Sequence, residues 1–445
     1  MNFLKDFKNK NIVVAGLGKS GIAAVNLLFA KGFNVSGCDI NRDILNNQEV
    51  INLINKDVKI IAGEKFNEAI EKAELVILSP GIDQRDSIYK NKIITGELEL
   101  AWSFVNKPVV AVTGTNGKST VTELISEILE KSGKKVFKGG NLGTPLSEAV
   151  LNQDIYDLMV IEVSSFQLDT IINFAPDIAV LLNTTPDHLD RYEDFNDYVK
   201  SKLKIFKNQD KSQVAILNYS ENHKIKSNAK PVFFNIYDEK KDSAIVEKNC
   251  LKINFKGKSF SINTNKFGLT GKHNLENLSA SALAAFYAGA SEKGLKKAME
   301  SFKGLPHRME FVDKIENINF IDDSKATNPD SVYQALKGLD SNISLIMGGR
   351  DKGYDYKYLS DIVNKKVTSI VLIGEAKEKI KKEINFNGKT FFENSMEKAV
   401  ERAFKNLDGK GTVILSPACS SFDMFKSYSH RGECFKNSVE NLKRQ

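Results

Sequence analysis

The stretch that most constrains this chain runs from Val109 to Thr120. Val109-Val-Ala-Val-Thr is an apolar, β-branched run, Gly114-Thr115-Asn116-Gly117 is a tight glycine turn, and Lys118-Ser119-Thr120 opens the amphipathic pattern Val121-Thr-Glu-Leu-Ile-Ser-Glu-Ile-Leu. Strand, glycine turn and helix in that order make a nucleotide triphosphate cradle. The glycines let backbone N–H groups close on phosphate oxygens, and the helix N-terminus adds its positive end. Lys118 reaches the β- and γ-phosphates, and the Ser119 or Thr120 hydroxyl suits Mg²⁺. The spacing departs from the ordinary P-loop, since Val112 stands where a glycine is expected.

A chain of 445 residues is too long for one core and predicts about three domains at ~150 residues each. No apolar run approaches the ~18 residues of a membrane span. The start, Met1-Asn-Phe-Leu-Lys-Asp-Phe-Lys, lacks a signal-peptide core, and Cys38, Cys250, Cys419 and Cys434 form no C-x-x-C pair. The expectation is a soluble cytoplasmic protein with neither disulfides nor structural zinc, no membrane insertion, and a monomeric state. A net charge of +7 raises nucleic acid as a partner, but the lysines are spread and no arginine-rich arm occurs, so a solvated surface is expected instead. Of 63 basic residues only 8 are Arg, and Arg42, Arg191, Arg308, Arg350 and Arg431 fall in motif-like stretches, where a planar bidentate fork matters.

At the N-terminus, the strand Asn11–Gly16, the turn Gly16-Leu-Gly18-Lys19-Ser20-Gly21, a helix from Ile22 to Lys31 and the strand Asn34–Asp39 make a βαβ unit with the dinucleotide-binding fingerprint. Only one more clear strand, Leu75–Ser79, precedes Glu97. That is short for a two-half NAD fold, so a smaller nucleotide-like group such as UDP is the favoured ligand. In the second segment, Leu158–Glu162 and Ile178–Asn183 are apolar strands with polar tips. The ligand crevice of an open α/β sheet lies at the carboxyl ends of its strands, so Glu162 and His188 are candidates for a divalent metal beside Lys118. From about 205 to 270 shorter strands predict a peripheral antiparallel extension. The helix after Gly271 carries Asn274 and Asn277 on one face. A break at Gly304-Leu-Pro306-His-Arg308 opens a last α/β segment with polar residues at each strand end. The predicted fold is α/β in three parts: 1–96, a small Rossmann-like domain; 97–302, a P-loop-type parallel domain; and 303–445, a second Rossmann-like domain.

Gly114-Thr-Asn-Gly-Lys-Ser-Thr, Glu162-Val-Ser-Ser-Phe-Gln, Asp187-His-Leu-Asp-Arg-Tyr, Gly271-Lys-His-Asn, Leu305-Pro-His-Arg, Asp323-Ser-Lys-Ala-Thr-Asn and Ser416-Pro-Ala-Cys-Ser-Ser-Phe-Asp stand in that order along the chain. The set closely resembles the Mur ligases of peptidoglycan synthesis. The last two motifs resemble the branch that adds D-glutamate to UDP-N-acetylmuramoyl-L-alanine; sister Mur ligases and folylpolyglutamate synthases, the alternative reading, differ there. The resemblance implies an ATP-dependent amide ligase working through an acyl phosphate with two Mg²⁺ ions. It implies that residues 1–96 bind the UDP-substrate, 97–302 ATP, and 303–445 the amino acid. Gly114, Thr115, Asn116, Gly117, Lys118, Ser119, Thr120, Asn274, Asn277, Arg308, Asp323 and Lys325 are thereby assigned to ATP. Gly18, Lys19, Ser20, Asp39, Ile40, Arg42 and Gly81 go to the UDP group, and Asn141 to the muramoyl-alanine end. His188, Thr327, Lys352, Ser421 and Phe422 go to D-glutamate. Ser119, Glu162, His188 and Lys202, the last as a carbamate, go to metal, and Lys118, Glu162, His188 and Lys202 form the catalytic set. A P-loop NTPase that drives motion would need only the first motif, and an NAD oxidoreductase only residues 11–39.

Overall fold

The computed structural model describes residues 3–188, 191–269, 271–351 and 353–444. Three sheets follow one another along the chain. The first is wholly parallel: β1 (Ile12–Ala15), β2 (Val35–Asp39), β3 (Lys59–Ala62), β4 (Leu75–Leu78) and β5 (Ile94–Gly96), in the order β3-β2-β1-β4-β5. This is the doubly wound nucleotide-binding order without its sixth strand, and its switch point lies between β1 and β4. The fingerprint glycines have their physical reason here. A Cβ on Gly21 would stand 1.8 Å from the Gly16 carbonyl oxygen, so the helix Lys19–Ala30 can lie this close to the turn only without a side chain.

The second sheet holds β6 (Val109–Thr113), β7 (Val136–Gly140), β8 (Leu158–Glu162), β9 (Ile178–Leu181), β10 (Val214–Asn218), β11 (Lys230–Phe234), β12 (Ser243–Glu247), β13 (Cys250–Phe255) and β14 (Lys258–Asn263). Its order is β14-β13-β12-β11-β10-β9-β6-β8-β7. All of β6 is buried between β9 and β8, which is why it reads as an unbroken apolar run rather than an alternation. The predicted antiparallel extension needs correcting. β10 and β11 pair parallel with β9 and each other, and only β12-β13-β14 is antiparallel. The chain between β9 and β10 includes the helix Phe195–Leu203, the crossover that a parallel connection requires.

The third sheet holds β15 (Glu310–Ile315), β16 (Asn317–Asp322), β17 (Ile343–Gly348), β18 (Val367–Ile373), β19 (Lys389–Phe392) and β20 (Lys410–Leu415), in the order β15-β16-β20-β17-β18-β19. Only the β15–β16 pair is antiparallel. Side chains alternate between its faces. Leu345, Met347, Ile370, Leu372 and Ile414 pack under the helices Pro329–Gly338 and Ser360–Lys366, whereas Ile346, Val371, Ile373, Val413 and Leu415 pack under Met396–Lys405 and Tyr428–Lys443.

The chain divides into two compact units: residues 1–184, 196–266 and 276–301, and residues 185–195, 267–275 and 302–445. The first contains the first and second sheets, which share one apolar core through Leu98, Leu100, Val109 and Phe174. The connecting helix Glu97–Trp102 is pinned by buried carboxylates. Glu99 accepts the backbone N–H groups of Ile172, Asn173 and Phe174, each at 2.9 Å, and Glu97 accepts that of Ser147 at 2.6 Å. Among the described residues no helix is long and apolar enough to cross a membrane.

Candidate active site

The phosphate turn begins where β6 ends. Gly117 takes φ +85, a left-handed conformation favouring glycine, and a Cβ there would meet the Asn277 side chain at 2.6 Å. Gly117 caps the helix Lys118–Lys131, whose Val121, Leu124, Ile125, Ile128 and Leu129 are buried at helical spacing. Asn183, just beyond β9, clasps the turn from the next strand: its Oδ1 accepts the Asn116 N–H at 2.8 Å and its Nδ2 donates to the Asn116 carbonyl at 3.0 Å. The Lys118 ammonium folds back onto the carbonyls of Gly114 (2.9 Å) and Thr115 (2.8 Å).

Glu162, at the tip of β8, faces this turn. Its Oε2 accepts the Ser119 hydroxyl at 2.5 Å and its Oε1 the Asn141 amide at 2.9 Å. Asn141, expected at the muramoyl-alanine end, is thus a partner of Glu162. Thr120 Oγ1 is buried with no hydrogen-bond partner among the described residues. Carboxylate, hydroxyl and amide offer hard oxygen donors, and this set fits Mg²⁺.

Lys202 is the least expected placement for a lysine in so lysine-rich a chain. It is 1% exposed, its Nζ donates to the Gly114 carbonyl at 2.9 Å, and it lies 4.5 Å from the ring centre of Tyr198. The Tyr198 hydroxyl is 3.1 Å from Thr115 Oγ1. On the same stretch Lys200 is exposed and Lys204 pairs with Asp169 at 2.6 Å. Two ammonium groups, Lys118 and Lys202, therefore converge on one carbonyl, a concentration of positive charge suited to anionic oxygens. The motifs do not single out Asn183 or Tyr198: the only signal for Asn183 was its place at the polar tip of an apolar strand, and Tyr198 is a buried position within the helix Phe195–Leu203.

His188, Asn274, Arg308, Asp323, Lys325, Thr327, Ser421 and Phe422 belong to the second unit, and Asn277 to the first. His188 sits in a left-handed turn at φ +55. Asp323 is buried; its carboxylate accepts the Ser416 hydroxyl at 2.8 Å and the Met309 N–H at 3.2 Å. Burial pushes its pKa up to about 7 against the opposing pull of Arg308. Arg308 Nε and Ser421 Oγ are buried with no partner among the described residues, Thr327 is half-buried and Phe422 is 64% exposed. The Lys325 ammonium lies 5.5 Å from the Tyr428 ring centre. Lys352 lies outside the described residues. Arg431 is fully buried and knots three loops, donating to Ser324 Oγ (3.0 Å), the Ser324 carbonyl (2.8 Å), the Cys419 carbonyl (3.1 Å) and, more weakly, the carbonyls of Ser420 and Gly348.

In the first sheet, Gly18, Lys19 and Ser20 lie at the start of the helix after β1. The Asp39 carboxylate is taken up by the turn itself, accepting the N–H groups of Leu17 (2.7 Å) and Asn41 (2.9 Å). Ile40 is 76% exposed, Gly81 is exposed, and the exposed Arg42 pairs with Glu64 at 3.1 Å.

A phosphate-cradling turn on a buried parallel strand, an acidic tip on the neighbouring strand and a preceding Rossmann-like sheet define a nucleotide-dependent α/β protein. Family profiles match three successive regions: the MurD-like N-terminal domain of Mur ligases over residues 10–97, the Mur ligase middle domain over 112–285, and the Mur ligase glutamate ligase domain over 307–419. The chain is 40% identical over 446 residues to the UDP-N-acetylmuramoylalanine–D-glutamate ligase of Desulfosudis oleivorans, covering 98% of this chain and 97% of that one. The chain belongs to the Mur ligase family. Among solved structures its fold matches a pseudomurein peptide ligase type C from Methanothermus fervidus (TM-score 0.62, 19% identity, 98% of this chain and 100% of that one). It also matches a MurF ligase from Thermotoga maritima in complex with ADP (TM-score 0.60, 17% identity, 99% and 98%).

Proposed function

We propose that this protein joins D-glutamate to UDP-N-acetylmuramoyl-L-alanine at the expense of ATP, as a cytoplasmic, monomeric enzyme of peptidoglycan synthesis. The observation that carries this reading is the Lys118–Ser119–Glu162 arrangement in a chain alike from end to end to ligases of that name. The alanyl carboxylate oxygen takes the γ-phosphoryl group of ATP and ADP departs. The D-glutamate amine then attacks the acyl carbon, the C–O bond to phosphate breaks, and the amine loses a proton, leaving an amide and inorganic phosphate.

The protein's part is positioning and charge. Lys118 and the N–H groups of the Gly114–Gly117 turn hold the phosphates. Asn274, Asn277, Arg308, Asp323 and Lys325 hold the rest of the nucleotide. Gly18, Lys19, Ser20, Asp39, Ile40, Arg42 and Gly81 receive the UDP group, with Asn141 toward the muramoyl-alanine end. His188, Thr327, Lys352, Ser421 and Phe422 receive D-glutamate. This divides the work as 1–96 for the UDP-substrate, 97–302 for ATP and 303–445 for the amino acid. Ser119, Glu162, His188 and Lys202 would hold two Mg²⁺ ions, which when bound neutralise the γ-phosphate. Lys202 serves there as a carbamate: its amine adds CO₂, loses a proton and becomes an anion with two oxygens, relieving the pairing of two ammonium groups at Gly114.

The test is phosphate release from ATP with and without the two co-substrates, with the product identified by mass. Release that needs both, and an amide product, are expected; turnover with ATP alone would favour a plain NTPase.

A further inference from the structure

Asp187 immediately precedes His188, and its carboxylate gathers three segments of the second unit. Oδ1 accepts the backbone N–H of His188 at 2.9 Å and the phenol of Tyr354 at 2.6 Å; Oδ2 accepts the Asn328 amide at 3.4 Å. Each partner is itself held. Asn328, next to Thr327, caps the helix Pro329–Gly338 by accepting the Ser331 N–H at 2.8 Å. Tyr354 is buried, and its carbonyl accepts the Lys379 ammonium at 2.8 Å. That ammonium also pairs with Asp351 at 2.7 Å, and Asp351 accepts the Tyr356 phenol at 2.8 Å. The left-handed backbone of His188 is unfavourable in a residue other than glycine and persists only where its surroundings fix it.

We propose that Tyr354 is a positioning residue for the acceptor amino acid. Its phenol, acting through Asp187, fixes the His188 turn against the Thr327 segment so that both meet D-glutamate in one arrangement. A buried phenol that merely satisfies itself on the nearest carboxylate would need neither the strained His188 turn nor a second clamp from Asn328. The proposal rests on the assignment of His188 and Thr327 to D-glutamate.

Steady-state kinetics of the full-length protein test it, using Tyr354→Phe, Asp187→Asn, the double variant and Thr327→Ala. A hydrogen bond to a charged group is strong enough that Tyr354→Phe is expected to lose about tenfold in kcat/KM for D-glutamate, with KM for ATP held within about twofold. The double variant should be no worse than Asp187→Asn alone, because one linkage is being broken twice. Wild-type kinetics in Tyr354→Phe, additive losses, or a fall in kcat with unmoved KM for D-glutamate and a lowered unfolding midpoint would each overturn the proposal. If Thr327→Ala leaves KM for D-glutamate unchanged, the site assignment is wrong and the proposal falls with it. If Thr327→Ala raises that KM while Tyr354→Phe behaves as wild type, only the positioning role fails.

Discussion

Single residues carry the proposed chemistry in two ways, by reach and by burial. Lys118 acts by reach: removing its ammonium takes the cation carried by the phosphate turn's own helix but leaves the apolar faces of β6 and that helix intact. Lys118→Ala is therefore expected to lose at least ~100-fold in ligation rate. Its affinity for the UDP-substrate, read by calorimetry, should stay within about twofold. Equal loss of both would refute the division of ligands between the first and second sheets. Lys202 acts by burial. Peptide mass measured after trapping the carbamate under bicarbonate should show one added CO₂ on Lys202 and none on the exposed Lys200; an unmodified Lys202 that retains full activity would remove it from the metal set. The motif residues were legible because their chemistry demands particular side chains at fixed spacing. Asn183, Tyr198 and Tyr354 were not, since their partners lie 67, 83 and 167 residues away.

At the scale of elements, four of the strands that the sequence pattern does not announce have one property in common, while a fifth, β12, is interior to the second sheet. β3 and β5 are the edges of the first sheet, and β15 and β19 those of the third. Edge strands are short and partly exposed, so Lys59-Ile-Ile-Ala and Ile94-Thr-Gly carry three apolar positions at most, whereas β1, β4, β6 and β17 are buried on both faces and announce themselves as longer apolar runs. The pairing of β10 and β11 was equally hidden, because alternation records burial and says nothing of strand direction. The helix Glu97–Trp102 shows what local pattern cannot convey: a carboxylate that reads as surface is 1% exposed and serves three N–H groups of a distant loop. Burial raises the Glu99 pKa while those three bonds pull it down. Glu99→Ala leaves the three donors without their acceptor, each costing about 1–3 kcal/mol when buried. We expect a loss of roughly 3–5 kcal/mol in urea unfolding, with Glu99→Gln losing less because its amide oxygen still accepts. A loss below ~1 kcal/mol in Glu99→Ala would mean that water replaces the carboxylate.

For the whole molecule, the buried Asp323 and the half-buried His273, both of the second unit, make opposing contributions to acid stability. Burial raises Asp323 to about 7, and burial, with Arg308 and Lys337 adding to it, lowers His273 to about 4. Asp323 binds its proton more tightly folded than unfolded, so its contribution is fully present below the unfolded value of about 3.9 and is lost as pH rises to about 7. His273 binds its proton more weakly when folded, so stability falls as pH drops from about 6.5 to about 4. Each shift corresponds to no more than about 3–4 kcal/mol, and over pH 4–6.5 the two nearly cancel. Removing either should expose the other. Relative to the unaltered protein, Asp323→Asn should lose stability on acidification from pH 6.5 to 4, and His273→Gln should gain it, as read from urea midpoints at fixed ionic strength. Parallel profiles for the protein and both variants would show that neither group changes its proton affinity on folding. A change in Asp323→Asn alone would leave the aspartate as the only coupled group of the pair and place the imidazole in contact with water.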